Sequence, residues 1–438
     1  MHRLIALSSL SGVLGCRPFP PPMEQADTGG SWDDDDWDDD DWDDDDDDDW
    51  DDDDDDGDDD DDDDYDVEEL LEDEQFDDDE APLIEGDSED FYGDDVVHEL
   101  ELLIPDGSWE ALLDEPRDYA PATFVWEGEE YGPIGVRTKG QNSWQPLDEK
   151  PSLKLDFNEY VQGGNFMGLK KVTLNAMNED ASGMHERIAY RIYREAGVPA
   201  ARCNHAQLVI NGDDYGLYAN VEAVHKRMIA RWFEDTEGSM WELADSDFRE
   251  GYISTFEHEM GEDDRTSIEA VAEALAQSDP DDAIEEVGEH MDLDAFFRFW
   301  GASAYTAHLD GYPYSDPGDD AHIYLDPTSG LLHWLPHGVD ETFTHSDDWV
   351  EYGLSGLLAE TCIDSDPCRE RFREAVLDTL DVAEGMDIEG YYDEVLDQIE
   401  DLAEDDPRSG HSKSQQDDER EYMLDMIEGR RAEFEDQF

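Results

Sequence analysis

From Asp33 to Asp95 the chain carries roughly 44 of its 126 acidic residues and not a single Lys or Arg. The segment SWDDDDWDDDDWDDDDDDDWDDDDDDGDDDDDDDYD cannot bury enough apolar surface to offset chain entropy, and its charges repel one another. An extended, disordered tether is expected here, and any globular fold is confined to the chain beyond it. Trp32, Trp37, Trp42 and Trp50 punctuate the tract with no partner layer to pack on. The plain reading is a solvated spacer. The functional alternative is cation loading, although the tract lacks the Gly-turned loop of a calcium site.

The segment from about Val96 to Phe438 still holds roughly 80 acids against 25 basic residues. Such a surface repels nucleic acid and anionic membranes. It suits a salty, halophilic setting, where screening relieves self-repulsion. Met1 to Gly15, MHRLIALSSLSGVLG, is too short for a permanent membrane span and has the form of a secretory signal peptide. Val13-Leu14-Gly15-Cys16 resembles a bacterial lipobox with Cys16 as the lipidated residue. The expected organisation is a signal over 1–16, a Pro/Asp-rich linker over 17–95 and a folded domain over 96–438. Lipid anchoring at Cys16 would be its only membrane attachment, leaving the domain in the cell envelope or extracellular space. Cys362 and Cys368 are spaced for a short-loop disulfide in an oxidising compartment. Cys203 is expected as a buried small hydrophobe. No Cys/His pattern with zinc-ligand spacing is visible.

Within the folded part, strands are expected at Val96–Ile104, Thr123–Glu127, Gly132–Thr138, Pro151–Phe157 and Leu169–Asn175. Ser182–Ala196 has helical periodicity with Gly197 and Pro199 as stops. Gln207–Ile210, the Asn211-Gly212 turn and Tyr215–Val221 read as a hairpin. Helices are expected at Ile268–Ser278, Asp282–Met291, Leu293–Ala307, Arg369–Leu380, Tyr391–Ala403 and Glu419–Phe434. The fold class is therefore α+β, a β-rich N-lobe (about 96–235) and a helical C-lobe (about 236–438) with acidic loops between them.

The most informative stretch runs from His308 to Phe343. It holds a loop aspartate (Asp310), a pair ten residues on (Asp319, Asp320), a hairpin, and a second loop aspartate, Asp340. Phosphoryl transfer of the kinase type needs this order: a carboxylate for the acceptor hydroxyl, a nearby metal ligand, and a second metal-binding carboxylate beyond a hairpin.

Several blocks resemble the spore-coat protein H (CotH) kinase family over about Ile134–Phe343. They are Val136-Arg137-Thr138-Lys139-Gly140-Gln141-Asn142-Ser143, the lysine strand with Lys150 and Lys154, and Gly168–Ala176 with Asp180 and Glu186. Gly197-Val198-Pro199-Ala200 and the Asn211-Gly212, Tyr215–Tyr218, Glu222 hairpin complete the set. The resemblance implies an atypical, two-lobed, secreted Ser/Thr protein kinase using ATP and Mg²⁺ or Mn²⁺ on a protein substrate. It assigns Lys139, Lys150, Lys154, Glu186 and Glu222 to the nucleotide, with Tyr218–Val224 as a lobe connector near the adenine. Asp310 would orient the acceptor hydroxyl, and Asp340 and Asp320 would bind the metal.

Four positions depart from the family pattern. Asp320 stands where Asn is usual, His337 for Trp, His185 for Arg, and Glu242 for a basic residue. These changes leave open a catalytically inactive surface or adhesion module with a cation-binding acidic stalk. A metal-dependent hydrolase fits less well, because no His cluster accompanies the carboxylates in the sequence.

Overall fold

The structure is a computed structural model that describes residues 70–71, 82–141, 143–315, 317–343 and 353–438. Cys16 and nearly all of the Asp-rich tract lie outside the described residues. The expected domain boundary at residue 96 is corrected, because the fold begins by Pro82. A short strand β1 (Leu83–Ile84) pairs in parallel with β6 (Asn165–Phe166), and helix α1 (Ser88–Phe91) follows. Phe91 is fully buried, edge-on to Phe166. One aromatic surrounded by acids gave no periodic signal, yet it anchors the entry of the chain.

The first lobe is a closed barrel. Its strands are β2 (Val97–Leu103), β3 (Ala120–Trp126), β4 (Glu129–Lys139), β5 (Ser152–Asp156), β7 (Lys171–Asn175), β8 (Cys203–Ile210) and β9 (Asp213–Val221). Antiparallel neighbours run from β2 through β9 to β8, and the parallel pairing of β2 with β8 closes the ring. Leu100, Leu102, Val136, Leu153, Leu155, Val172, Leu174 and Leu208 are fully or almost fully buried in its interior. Their alternation along each strand is the period of a pleated sheet. The β8–β9 turn has Asn211 and Gly212 at φ 52° and 83°, the left-handed pair a tight hairpin requires. Helix α2 (Asp106–Asp114), between β2 and β3, had no counterpart among the elements expected from the sequence.

Helix α3 (His185–Glu195) packs between the barrel and the second lobe. Asp180 fixes its start by accepting hydrogen bonds from Gly183 N (2.9 Å), His185 N (2.8 Å) and the Ser182 hydroxyl (2.6 Å). A carboxylate is well suited to these otherwise unpaired helix-terminal donors. Arg187 of α3 donates to His205 Nδ1 on β8 at 3.1 Å, and His205 Nε2 donates to the Gly183 carbonyl at 2.7 Å. These bonds hold the imidazole neutral, and burial followed by the Arg187 charge depresses its pKa to about 3.

The second lobe, expected to be helical, also contains a four-stranded sheet in the order β11-β10-β12-β13. Its strands are β10 (Ser239–Leu243), β11 (Phe256–Met260), β12 (Ala321–Asp326) and β13 (Leu331–Pro336). Around it lie α4 (Lys226–Trp232), α5 (Thr266–Leu275), α6 (Pro280–Val287), α7 (Leu293–Thr306), α8 (Leu357–Asp364), α9 (Asp366–Gly385), α10 (Ile388–Glu404) and α11 (Lys413–Gln437). From Ala295 onward α7 is buried except at Arg298, and Trp300 stacks on Phe372 of α9 with ring centroids 3.8 Å apart. Cys362 and Cys368 form the expected disulfide, and Cys203 is a buried free thiol. Among the described residues no helix is long and apolar enough to cross a membrane.

Candidate functional site

Helix α7 ends at Ala307 in the left-handed conformation (φ 52°), which turns the chain sharply into His308, Leu309 and Asp310. The β12–β13 hairpin begins just after Asp320 and ends just before His337. Its register sets Ala321 opposite Pro336, so the residues flanking the hairpin must meet. His337 N donates to the Asp320 carbonyl at 3.0 Å. The Asp320 carboxylate lies against Gly338, leaving no room there for a Cβ. Asp340 sits on a 3₁₀ turn, Val339–Glu341. A hairpin thus brings together two aspartates that are twenty residues apart in sequence.

Electrostatics confirm the crowding. The Asp320 carboxyl is raised well above its usual range by burial and then by Asp319, Asp340, Asp310 and Glu242. Asp340 is raised by burial, while Lys139 pulls it down and Asp180 pushes it up. Burial is also the first cause that lifts Asp319 to about 6. Glu341 reaches solvent, but partial desolvation, the Asp310 charge and a hydrogen bond with Asp310 push it up to about 7. These shifts mark like charges forced into one low-dielectric cleft. Asp310, Asp320 and Asp340, singled out in the sequence, are brought together.

Two of the three expected lysines reach this cleft. Lys139 Nζ, at the end of β4, donates to Asn175 Oδ1 at 3.2 Å, and the Asn175 amide donates to Glu186 Oε1 at 2.7 Å. Burial and then the nearby Asp340 raise Glu186 well above its usual range, with Lys139 opposing them. Lys154, almost fully buried on β5, has an amine held well below its usual range by burial and by Arg137 and Lys139. Glu242 and Glu259 of the second lobe oppose that shift, so the barrel lysine faces the C-lobe sheet.

Lys150 and Glu222 are corrected. Lys150 Nζ donates to Asp406 Oδ2 at 2.7 Å and lies over the Tyr218 ring, tying the barrel to the loop before α11. That pair is buried on both sides, at 7% and 3% exposure, so the amine is committed there. Glu222 is clamped between Arg202, which donates to Oε1 at 2.7 Å, and Arg231. A carboxylate enclosed by two guanidiniums is a structural pair, and the adjacent hydrophobic pattern could not reveal those partners.

Other residues at the cleft had no role assigned from the sequence, although His185, Glu242 and His337 stood out as departures from the family pattern. His185 is fully buried, and its Nδ1 donates to the Asp340 carbonyl at 2.8 Å, fastening the 3₁₀ turn to α3. His308 Nδ1 is hydrogen-bonded to the Tyr193 hydroxyl at 3.0 Å, and its Nε2 is 3.7 Å from Asp320 Oδ2. Burial depresses the pKa of His308 to about 4. The expected absence of a histidine cluster is also overturned. Glu242, His322 and His337 present ligand atoms that all lie within 4.8 Å of one another.

Residues 136–434 match the family described as CotH kinase protein, and the chain belongs to that family. It is similar to the inner spore coat protein H of Bacillus subtilis (strain 168), 22% identical over 245 residues, covering 50% of this chain and 65% of the relative. It is also similar to spore coat protein homolog 1 of Rhizopus delemar, 24% identical over 196 residues, covering 41% of this chain and 31% of the relative. The chain thus spans less than two thirds of the length of these curated relatives. Among solved structures, it aligns with the Shewanella oneidensis MR-1 toxin–antitoxin complex of HipA, HipB and operator DNA at TM-score 0.34 and 11% identity, covering 75% and 80% of the two chains. The Helicobacter pylori proinflammatory kinase CtkA aligns at TM-score 0.27 and 8% identity, covering 72% of this chain and 92% of that one.

Proposed function

We propose that this chain is a metal-dependent protein kinase of the cell envelope, transferring the γ-phosphoryl of ATP to a Ser or Thr hydroxyl of an envelope or extracellular protein. One arrangement carries the reading: the β12–β13 hairpin returns Asp320 and Asp340 to one place, Asp310 and Asp340 both act on the Asp320 carboxyl, and Lys139 of the barrel offsets Asp340. Family membership supports the kinase class. The donor set fits Mg²⁺ or Mn²⁺, because crowded carboxylates with elevated pKa values are hard-oxygen ligands short of a cation. The buried Glu186 Oε2, which has no partner, is a further polar atom in this cleft.

When bound, the metal and ATP supply the transferable phosphoryl group and shield its charge. The chain supplies the remainder. Asp340 and Asp320 hold the cation, and Lys139 and Lys154 bring positive charge to the phosphates in an otherwise anionic domain. Glu186 steadies Lys139 through Asn175. Asp310 orients the acceptor hydroxyl and receives its proton. Cys16 in its lipobox-like setting supports a lipid anchor, and the spore-coat relatives support a location at the cell envelope or coat.

The test is transfer of labelled phosphate from γ-labelled ATP by the full-length protein in high salt with Mg²⁺ or Mn²⁺. Metal-dependent incorporation that disappears in Asp340→Ala is the expected result. Wild-type protein that neither incorporates phosphate nor binds ATP with metal overturns the proposal and favours an inactive surface module.

A further inference from the structure

The C-lobe sheet gathers a second constellation beside the carboxylate cluster. Glu242 on β10 is the register partner of His322 on β12, and His322 is in turn opposite Leu335 on β13. His337 lies two residues beyond that position. His337 Nε2 stands 3.3 Å from Glu242 Oε1, and His322 Nε2 stands 3.8 Å from Glu242 Oε2. The latter is too long for a hydrogen bond. The two imidazoles meet edge to face, 4.9 Å between centroids and 82° between planes. His322 is 2% exposed, and its Nδ1 is buried without a partner.

We propose that Glu242, His322 and His337 bind one divalent transition-metal ion, of the Zn²⁺, Co²⁺ or Mn²⁺ class, at a site distinct from the all-oxygen carboxylate cluster. Around such an ion in tetrahedral coordination, His nitrogens and a carboxylate oxygen stand about 2.0–2.2 Å from the metal, which sets neighbouring ligand atoms about 3.3–3.6 Å apart. The 3.3 Å separation already matches that arrangement, the 3.8 Å one lies just outside it, and all three ligand atoms fall within 4.8 Å of one another, so the set closes by rotation of the side chains. Two neutral nitrogens and one carboxylate form a donor set softer than the one Mg²⁺ prefers.

The surroundings favour a cation. The Glu242 charge is felt by Asp319, Asp320 and Glu259, so carboxylates crowd this corner of the cleft, and Lys154 of the barrel offsets Glu259. Two of the four departures from the family pattern, Glu242 and His337, come together here. A divalent ion held by one carboxylate and two imidazoles leaves a net positive charge where the family pattern has a basic side chain. The site stands on these side chains alone and requires no kinase activity.

The test uses the full-length protein, stripped of metal with a chelator and titrated with Co²⁺ in a large excess of Mg²⁺, which occupies the all-oxygen sites of the Asp tract and the cleft. The expected result is one equivalent of Co²⁺ with the visible absorption of nitrogen ligation. His322→Asn or His337→Asn should weaken binding about tenfold or more, and His290→Asn should leave it unchanged. Equal binding by wild type and both site variants overturns the proposal, as does loss of all binding in excess Mg²⁺. If the site variants fail to fold, wild type loaded with one Cu²⁺ decides the matter. Pulsed EPR showing modulation from two imidazoles supports the site, and its absence overturns it. Phosphate transfer is not measured, so the two proposals fail separately.

Discussion

Lys139 on the last strand turn before the Gly140 loop and Glu186 on helix α3 are joined through one side chain, Asn175. The amine donates to the amide oxygen at 3.2 Å, and the amide nitrogen donates to the carboxylate at 2.7 Å. Inserting a neutral amide lets the lysine keep its full charge for a ligand while its position is still fixed by the helix.

That relay makes Glu186→Gln informative. The substitution preserves shape and the hydrogen bond from Asn175 but removes its charge assistance, worth about 1–1.5 kcal/mol. We expect the KM for ATP to rise roughly tenfold, with thermal stability unchanged or slightly raised because a buried carboxylate is gone. Steady-state kinetics with a thermal melt on the same sample checks both parts.

Lys150→Met separates a structural lysine from the site lysines. Removing one partner of a buried pair leaves Asp406 uncompensated at a cost of about 3–5 kcal/mol. The midpoint of chemical denaturation should fall sharply, while ATP affinity of the folded fraction stays near wild type. Lys139→Met should do the reverse, and denaturation curves beside nucleotide-binding isotherms distinguish them.

Asp310→Asn should lower kcat by about 10²–10⁴, the range for a lost general base, and leave metal-dependent ATP binding intact. Measuring turnover and nucleotide affinity together tests whether Asp310 serves the acceptor and not the nucleotide.

His205 supplies a pH prediction. Its folded pKa of about 3 lies below the ordinary 6.5. The neutral imidazole therefore contributes stability fully above pH 6.5, and that contribution is lost as pH falls toward 3. His205→Gln can still donate to the Gly183 carbonyl and accept from Arg187. Relative to wild type, the variant should lose less stability between pH 6.5 and 3, with no relative change above pH 7. Taking the difference between the two proteins cancels the titration of the 126 acids.

Local chemistry was readable where a few adjacent residues decide the outcome. Asn211-Gly212 dictated its hairpin, the 3.6-residue pattern after Ser182 dictated α3, and the CIDSDPC spacing dictated the disulfide. The order Asp310, Asp320, hairpin, Asp340 foretold the carboxylate cluster, because a hairpin necessarily returns its flanks to one place. Long-range partners were not readable. The parallel β2–β8 closure joins segments about a hundred residues apart, and nothing in either strand encodes its neighbour. Lys150 and Glu222 were recognised as charged residues, but Asp406 and the pair Arg202 and Arg231 claim them. Strands β10 and β11 are five residues each and carry charged residues among the apolar ones, so their place in the C-lobe sheet was hidden. With them was hidden the meeting of Glu242, His322 and His337.

The most direct measurement is equilibrium binding of ATP to the full-length protein in high salt, with and without Mg²⁺, in wild type, Lys139→Met and Asp340→Asn. If amines of the barrel and carboxylates of the second lobe share one nucleotide, binding requires the metal and either substitution weakens it by about tenfold or more, the scale of one lost charged contact. ATP binding that ignores both substitutions, or that proceeds equally well without a divalent cation, contradicts the account.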